Sequence, residues 1–322
     1  MVLGLRAGLI RSDTSPLWFL SVSREESSVG HIDFGSLGDP DWVYMTNAPS
    51  TTLVLGGTGK IGSRLAVKLA KLGLDVRTAA PKGADTEFDW NDATTHPAAV
   101  EGVERLYVLP PLMRMDFAPP VATFLDLAEA SGVRHVTYLS EYGTRQFPPD
   151  SAPRAVERDL TGRGNITHSI LRPAWFMQNF SEGFLYPVQG VIALPTGDGL
   201  EAFIDVDDIA SVAAATLANP DAHAGATYAL TGPEAISVSE VAGIITAVTG
   251  RQVTHSDIER ETWIQAMIGA GVPAAYADKL RILTEIIASG KGARPTDDVE
   301  KITGTPPTRF ADFARCVKQA WG

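Results

Sequence analysis

An α/β fold with a doubly wound parallel sheet and a smaller C-terminal lobe is predicted by three observations. Residues 51–72 read as a short apolar strand, a glycine turn and a helix-periodic run. From there to about 171, β-branched apolar runs alternate with helical ones, which calls for a parallel sheet covered on both faces. Gly73, Gly102 and Gly132 each fall between a helical run and the next strand, where a left-handed C-terminal cap is wanted.

The first strand is Thr51 to Leu55, and Ile61, Leu65, Leu69 and Leu72 set the helix of 60–72. Between them Gly57, Gly59 and Gly62 satisfy G-x-G-x-x-G in its informative context. Glycines let the backbone turn sharply and approach a pyrophosphate whose charge rests on the helix N-terminus. A phosphate loop of the NTPase kind is excluded, because Ile61 stands where a magnesium-binding Ser or Thr is needed and Val54 where the first Gly is needed. Further strands are expected at 74–79, 86–89, 103–109, 133–139 and 166–171, with helices near 94–101, 118–131 and 151–161.

After 173 the rhythm loosens. A strand near 201–205, a helix at 207–218, a strand near 226–230 and a helix at 237–249 are expected, followed by three or four helical stretches. Ser237 with Glu240 and Ser256 with Glu259 have the capping-box spacing of helix starts. Asp205, Asp207 and Asp208 read as a strand end capping the next helix rather than as a metal site. Residues 1–50 are of mixed polarity and read as a surface arm or an upstream extension; Met45 leads into the first strand as an ordinary start would, which favours the extension.

Composition narrows the function classes. A formal charge of −11 and the lack of clustered Lys and Arg exclude a nucleic-acid partner. The single Cys316 rules out an intrachain disulfide and a thiolate metal site, fits a reducing cytosol, and is expected to be a small core residue on the last helix. No apolar run approaches the roughly 20 residues that span a bilayer. The histidines at 31, 96, 135, 168, 223 and 255 lack metal-ligand spacing, and His135 and His168 read as structural. No metal is expected, and the absence of Gly-x-Ser-x-Gly speaks against a hydrolase.

From Thr51 onward the chain resembles the NmrA-like group of atypical short-chain dehydrogenase/reductases, which includes quinone and triphenylmethane reductases. The resemblance is carried by Gly-Gly-Thr-Gly-Lys-Ile-Gly at 56–62, Phe-Asp-Trp-Asn-Asp at 88–92, Leu-Tyr-Val-Leu-Pro-Pro at 106–111, His-Val-Thr-Tyr-Leu-Ser at 135–140, Leu-Arg-Pro-Ala-Trp-Phe-Met-Gln-Asn at 171–179 and Phe-Ile-Asp-Val-Asp-Asp-Ile-Ala at 203–210. It implies a dinucleotide-binding Rossmann domain at 51–180 and a substrate lobe at 181–322, with a strand and helices returning to the core. Gly56, Thr58, Gly59, Lys60 and Ile61 would hold the pyrophosphate, and Asp89 and Trp90 would flank the adenine. Leu109, Pro110 and Pro111 would border the ribose and nicotinamide, Ser140 would lie beside the nicotinamide, and Pro173, Ala174 and Trp175 would meet its carboxamide face.

NADP is favoured over NAD, because no acid stands at the tip of the second strand, Val76 to Lys82, and Lys82 is available to a 2′-phosphate; Pro81 stands where the resemblance places an Arg. The superfamily's Tyr-x-x-x-Lys pair is missing: four residues after Tyr142 comes Gln146, and Arg154 occupies the position where the family often has Lys. An Arg cannot donate a proton near neutral pH, so Arg154 either polarises an oxygen or pairs with Glu157 on the surface. Ser140, Tyr142 and Arg154 are the candidate catalytic residues. The expected reaction is hydride transfer to a hydrophobic aromatic or quinone-like molecule over Trp175, Phe176, Met177, Phe180 and Phe184, by a cytoplasmic monomer or homodimer. A redox-sensing regulator without catalysis is the alternative, and an epimerase or dehydratase is disfavoured because it too needs the missing pair.

Overall fold

The computed structural model describes residues 50–322. The arm or extension expected over 1–50 lies, but for its last residue, outside the described residues, as does His31.

The sheet-forming half runs β1 (Thr51–Leu55), α1 (Lys60–Lys71), β2 (Asp75–Ala80), β3 (Thr86–Glu87), α2 (His96–Val100), β4 (Val103–Val108), α3 (Ala118–Ala130), β5 (His135–Leu139), α4 (Ala152–Gly162) and β6 (Thr167–Pro173). Next come α5 (Asn179–Glu182), β7 (Val191–Ala193), β8 (Leu200–Glu201), α6 (Val206–Ala218), α7 (Pro220–His223), β9 (Ala226–Leu230), β10 (Ile236–Ser237), α8 (Val238–Thr249), β11 (Thr254–Ser256), α9 (Arg260–Gly269), α10 (Ala274–Ala288), α11 (Asp298–Thr303) and α12 (Phe310–Cys316). Seven strands form one parallel sheet in the order β3-β2-β1-β4-β5-β6-β9, with the direction of winding reversing between β1 and β4. That is the doubly wound order, and its switch point is where such sheets take ligands. Gly73, Gly102 and Gly132 follow their helices with φ of 79°, 71° and 99°, the left-handed geometry that the sequence called for.

Alternation along the strands divides the core. Leu53 and Leu55 face one side with Phe88, Leu106, Phe124 and Val156, while Val54 faces the other with Leu65, Leu69, Ile209 and Leu217. Helices α2, α3 and α4 thus cover one face, and α1 and α6 the other. A third cluster joins Phe180, Phe203, Val241, Trp263, Phe310 and Trp321, and the Trp321 indole N–H donates to the Phe180 carbonyl at 2.8 Å.

Four local expectations are corrected. The strand expected near 201–205 is only Leu200–Glu201, paired antiparallel with β10, and Ile204 makes a single bridge to Phe176. Ser256 starts no helix: it ends β11, which pairs with β7, and the Glu259 carboxylate caps α9 by accepting from the amides of Glu261 and Thr262. Cys316 is exposed, because α12 turns Phe310, Phe313 and Ala314 inward. Glu157 is buried and pairs with Arg172 instead of Arg154. By contrast, Ser237 and Glu240 do form the reciprocal capping box, and Asp205 caps α6.

Candidate active site

The glycine loop joins β1 to α1, and each of its tight positions has a specific neighbour. Gly56 has φ of +69° and packs on Leu109; a Cβ at 56 would come within 2.5 Å of the Leu109 side chain. A Cβ at Gly57 would strike Thr78 at 2.5 Å, and one at Gly62 would lie 2.2 Å from the Gly56 carbonyl oxygen. Gly59 is the N-cap of α1, offers no side chain to the helix end, and is followed by a first turn without an acid. The N–H groups of that first turn have no partner inside the helix, so the loop end presents donors and a positive dipole toward an anion. The Lys60 ammonium reaches across to the Glu182 carbonyl at 3.2 Å. An uncapped, side-chain-free helix start of this kind fits a dinucleotide pyrophosphate.

Beside the loop, Lys82 is exposed in the turn after β2. β2 itself ends without an acid, but Asp85 folds back so that its carboxylate accepts from the amide and hydroxyl of Thr78 at 2.8 and 2.7 Å. The Thr78 hydroxyl, then its amide, holds the Asp85 carboxyl below the usual range. Asp89 is the cap of an Asx turn on Asn91, and the Trp90 indole donates to the Leu109 carbonyl at 3.1 Å. Trp90 also meets Phe88, His96 and Phe124 edge-on. Trp90, Leu109 and Gly56 are thereby linked in one chain of contacts.

Past Leu109 opens a cavity of about 250 Å³ at the C-terminal ends of β4, β5 and β6. Leu109, Pro110 and Pro111 form one wall; Ser140 and Tyr142 stand at the end of β5, and Pro173, Ala174 and Trp175 at the end of β6. Phe176 and Phe184 also face it, whereas Met177 and Phe180, expected to line it, are sealed in the third core cluster. Arg154 is absent from the lining and donates to the Phe147 carbonyl at 3.0 Å. The Ser140 hydroxyl donates to Glu157 at 2.6 Å, and Arg172 grips the same carboxylate with two bonds of 2.9 and 2.6 Å. The Tyr142 amide donates to the Pro173 carbonyl, which ties the ends of β5 and β6 together.

Several charged groups here went unremarked in the sequence. Glu141 lies next to Ser140 and is bound to Lys279 of α10 at 2.8 Å, with the ammonium 5.3 Å from the centre of the Tyr276 ring; all three line the cavity. Burial pushes the Glu141 carboxyl up, opposed by the Lys279 charge. Glu201 also lines the cavity and is 2% exposed. Burial pushes its carboxyl up to about 7, against the pull of the Ala293 and Trp175 amides, which donate at 2.7 and 3.5 Å. The Tyr138 phenol, fully buried in the cavity wall, is raised well above its usual value by burial and by Glu141 and Glu157. The one advance signal for these groups was a charge standing in an apolar run, as Arg172 and Glu201 do.

Elsewhere, His96 bonds the Asp89 carbonyl, His135 the Thr167 hydroxyl, His223 the Tyr228 hydroxyl and His255 the Leu194 carbonyl. Among the described residues no group of three or more His, Cys, Asp or Glu is placed to hold a metal ion, and no helix is long and apolar enough to cross a membrane.

No protein-family model matches the chain. It is 36% identical over 279 residues to the uncharacterized oxidoreductase YesF of Bacillus subtilis (strain 168), covering 84% of this chain and 96% of that protein. It is 32% identical over 287 residues to an NAD(P)H azoreductase of Xenophilus azovorans, covering 84% and 99%. The chain belongs to the NmrA-like NAD(P)-binding reductase family. The family fold extends to a solved NADPH-dependent quinone oxidoreductase from Escherichia coli in complex with NADPH, which superposes with a TM-score of 0.68 at 23% identity over 84% of this chain and all of that one. Its curated relatives at 30% identity or more make the chain an NAD(P)-dependent oxidoreductase. The glycine loop and the cavity meet at Leu109, which packs on Gly56 and lines the cavity.

Proposed function

We propose that the protein is an NADPH-dependent reductase that passes hydride to an aromatic or quinone-like small molecule held in the cavity at the ends of β4, β5 and β6. The observation that carries this reading is Leu109, which packs on Gly56 of the anion-ready loop and also forms the wall of an apolar cavity. Gly56, Thr58, Gly59, Lys60 and Ile61 would hold the pyrophosphate, Asp89 and Trp90 the adenine end, and Leu109 to Pro111, Ser140 and Pro173 to Trp175 the nicotinamide end. NADPH, when bound, supplies hydride. Trp175, Phe176 and Phe184 exclude water from the acceptor and offer flat apolar surface to an aromatic ring. Lys82 favours NADPH, while the Asp85 carboxylate beside Thr78 works against a 2′-phosphate, so NAD remains the weaker alternative.

Residues 51–180 act as the cofactor half and 181–322 as the substrate lobe, a division supported by Glu201 and Lys279 reaching the cavity from the second segment. The reading assigns the protein to the cytosol as a monomer or homodimer. Its test is NADPH oxidation against a panel of quinones, azo dyes and enones. Turnover of at least one class, with NADPH preferred to NADH, is expected; saturable NADPH binding without oxidation by any acceptor would replace the reductase with a cofactor-sensing binding protein.

A further inference from the structure

Ser140 and Arg154, two of the three candidates drawn from the sequence, do not account for the proton that must accompany hydride when a neutral carbonyl is reduced; the third, Tyr142, lines the cavity and is the competing donor. The Ser140 hydroxyl is committed to the Glu157 carboxylate, which also receives two bonds from Arg172. Arg154 lies outside the cavity lining. Tyr138 is in the wall, but burial and the neighbouring Glu141 and Glu157 make it a poorer acid than an ordinary phenol. Lys279 is engaged by Glu141 at 2.8 Å.

We propose that Glu201 is the proton donor of the reduction, and that the acceptor is accordingly a neutral conjugated carbonyl such as a quinone. This rests on the reductase reading above. Glu201 reaches the cavity from β8, beside Pro173, Ala174 and Trp175, which the family resemblance assigns to the nicotinamide. Its Oε2 accepts from the Ala293 amide at 2.7 Å, while Oε1 has only the 3.5 Å contact to the Trp175 amide and retains capacity for a proton and a ligand. Its antiparallel partner on β10 is Ile236, which carries no charge. The charged groups that share the cavity are already matched, Glu141 with Lys279 and Arg114 with Asp116, and neither these nor Arg294, which follows Ala293, is among the influences on its titration. The carboxyl is thus kept protonated into the neutral range by burial rather than by a partner's charge.

The step balances as follows. The quinone gains two electrons and one hydrogen as hydride from NADPH, which is oxidised to NADP⁺. The Glu201 O–H bond breaks as a new O–H bond forms on the quinone oxygen, and the hydroquinone leaves. The Glu201 carboxylate then regains its proton from water.

The test is Glu201→Gln, which keeps the size and the acceptor for the Ala293 amide but cannot release a proton. With menadione as acceptor, kcat is expected to fall about 100-fold with little change in NADPH affinity. Wild-type kcat is expected to decline as pH rises through about 7, and the residual rate of the variant to be flat there. Infrared titration of the cofactor-free protein gives a readout apart from turnover: a protonated-carboxyl band present at pH 6, lost by pH 8.5 and missing from Glu201→Gln. Wild-type kcat and pH profile in the variant, or no such band at pH 6, would overturn the assignment while leaving the reductase intact. A wild-type protein that oxidises NADPH with no acceptor overturns the reductase reading and this one with it.

Discussion

Arg172 and Glu157 form a bidentate ion pair at 2.6 and 2.9 Å, with side chains 17% and 10% exposed. The pair joins β6 to α4, and the carboxylate also receives the hydroxyl of Ser140, which lines the cavity. Removing one partner strands a buried charge. Arg172→Ala should therefore destabilise the fold by about 3–5 kcal/mol, read as a drop in urea midpoint. The double variant Arg172→Met with Glu157→Leu should recover most of that loss, because no unpaired charge is left.

Two glycines of one loop should separate binding from folding. At Gly62 a Cβ would overlap the Gly56 backbone at 2.2 Å, so Gly62→Ala should cost roughly 1–3 kcal/mol of stability. At Gly59 the nearest obstacle to a Cβ is the Gly56 oxygen at 3.1 Å, which a shift of a few tenths of an ångström relieves. Gly59→Ala should melt within a few degrees of wild type and bind NADPH at least tenfold more weakly by calorimetric titration. Wild-type affinity in that variant would remove the loop from the cofactor site.

His135 should make the fold acid-sensitive. It is 1% exposed, and burial, reinforced by His168, His223 and Arg105, pushes it down to about 4. A folded value below the ordinary one means that the contribution to stability is complete above about 6.5 and is lost as pH falls through about 4. The loss should reach about 3 kcal/mol, and His135→Gln should flatten the denaturant midpoints measured between pH 7 and 4.

Glu201 should act in the opposite sense. Its folded value is raised, so the native state is favoured below about 4.5 and loses that advantage as pH rises through about 7. Glu201→Gln should accordingly stabilise the protein at pH 8 by up to about 3 kcal/mol and have little effect at pH 4. Thermal melts at the two pH values decide it.

What was legible in the sequence is what is local. The strand, glycine turn and helix of 51–71, the capping glycines and the Ser237–Glu240 box depend on residues a few positions apart, and all are present. The spacing of Ser256 and Glu259 misleads because a neighbour that competes for the Ser256 backbone, Ala193 of β7, lies 63 positions away in the chain and wins. Trp175, Phe176, Met177, Phe180 and Phe184 are all apolar, so hydropathy could not tell the three that face the cavity from the two sealed behind it. Lys279 and Ala293 reach the site from more than 90 residues beyond the groups they bind, Glu141 and Glu201, and no spacing rule connects them.

The bond from Trp321 to the Phe180 carbonyl bears on how the protein is made. A ribosome delivers every strand of the parallel sheet by Leu230, with the glycine loop long since complete. The segment that carries Phe176 and Phe184 must wait a further 91 residues for the indole that fixes it. During synthesis the sheet and its glycine loop are therefore complete first, and the segment that carries Phe176 and Phe184 is among the last to be fixed.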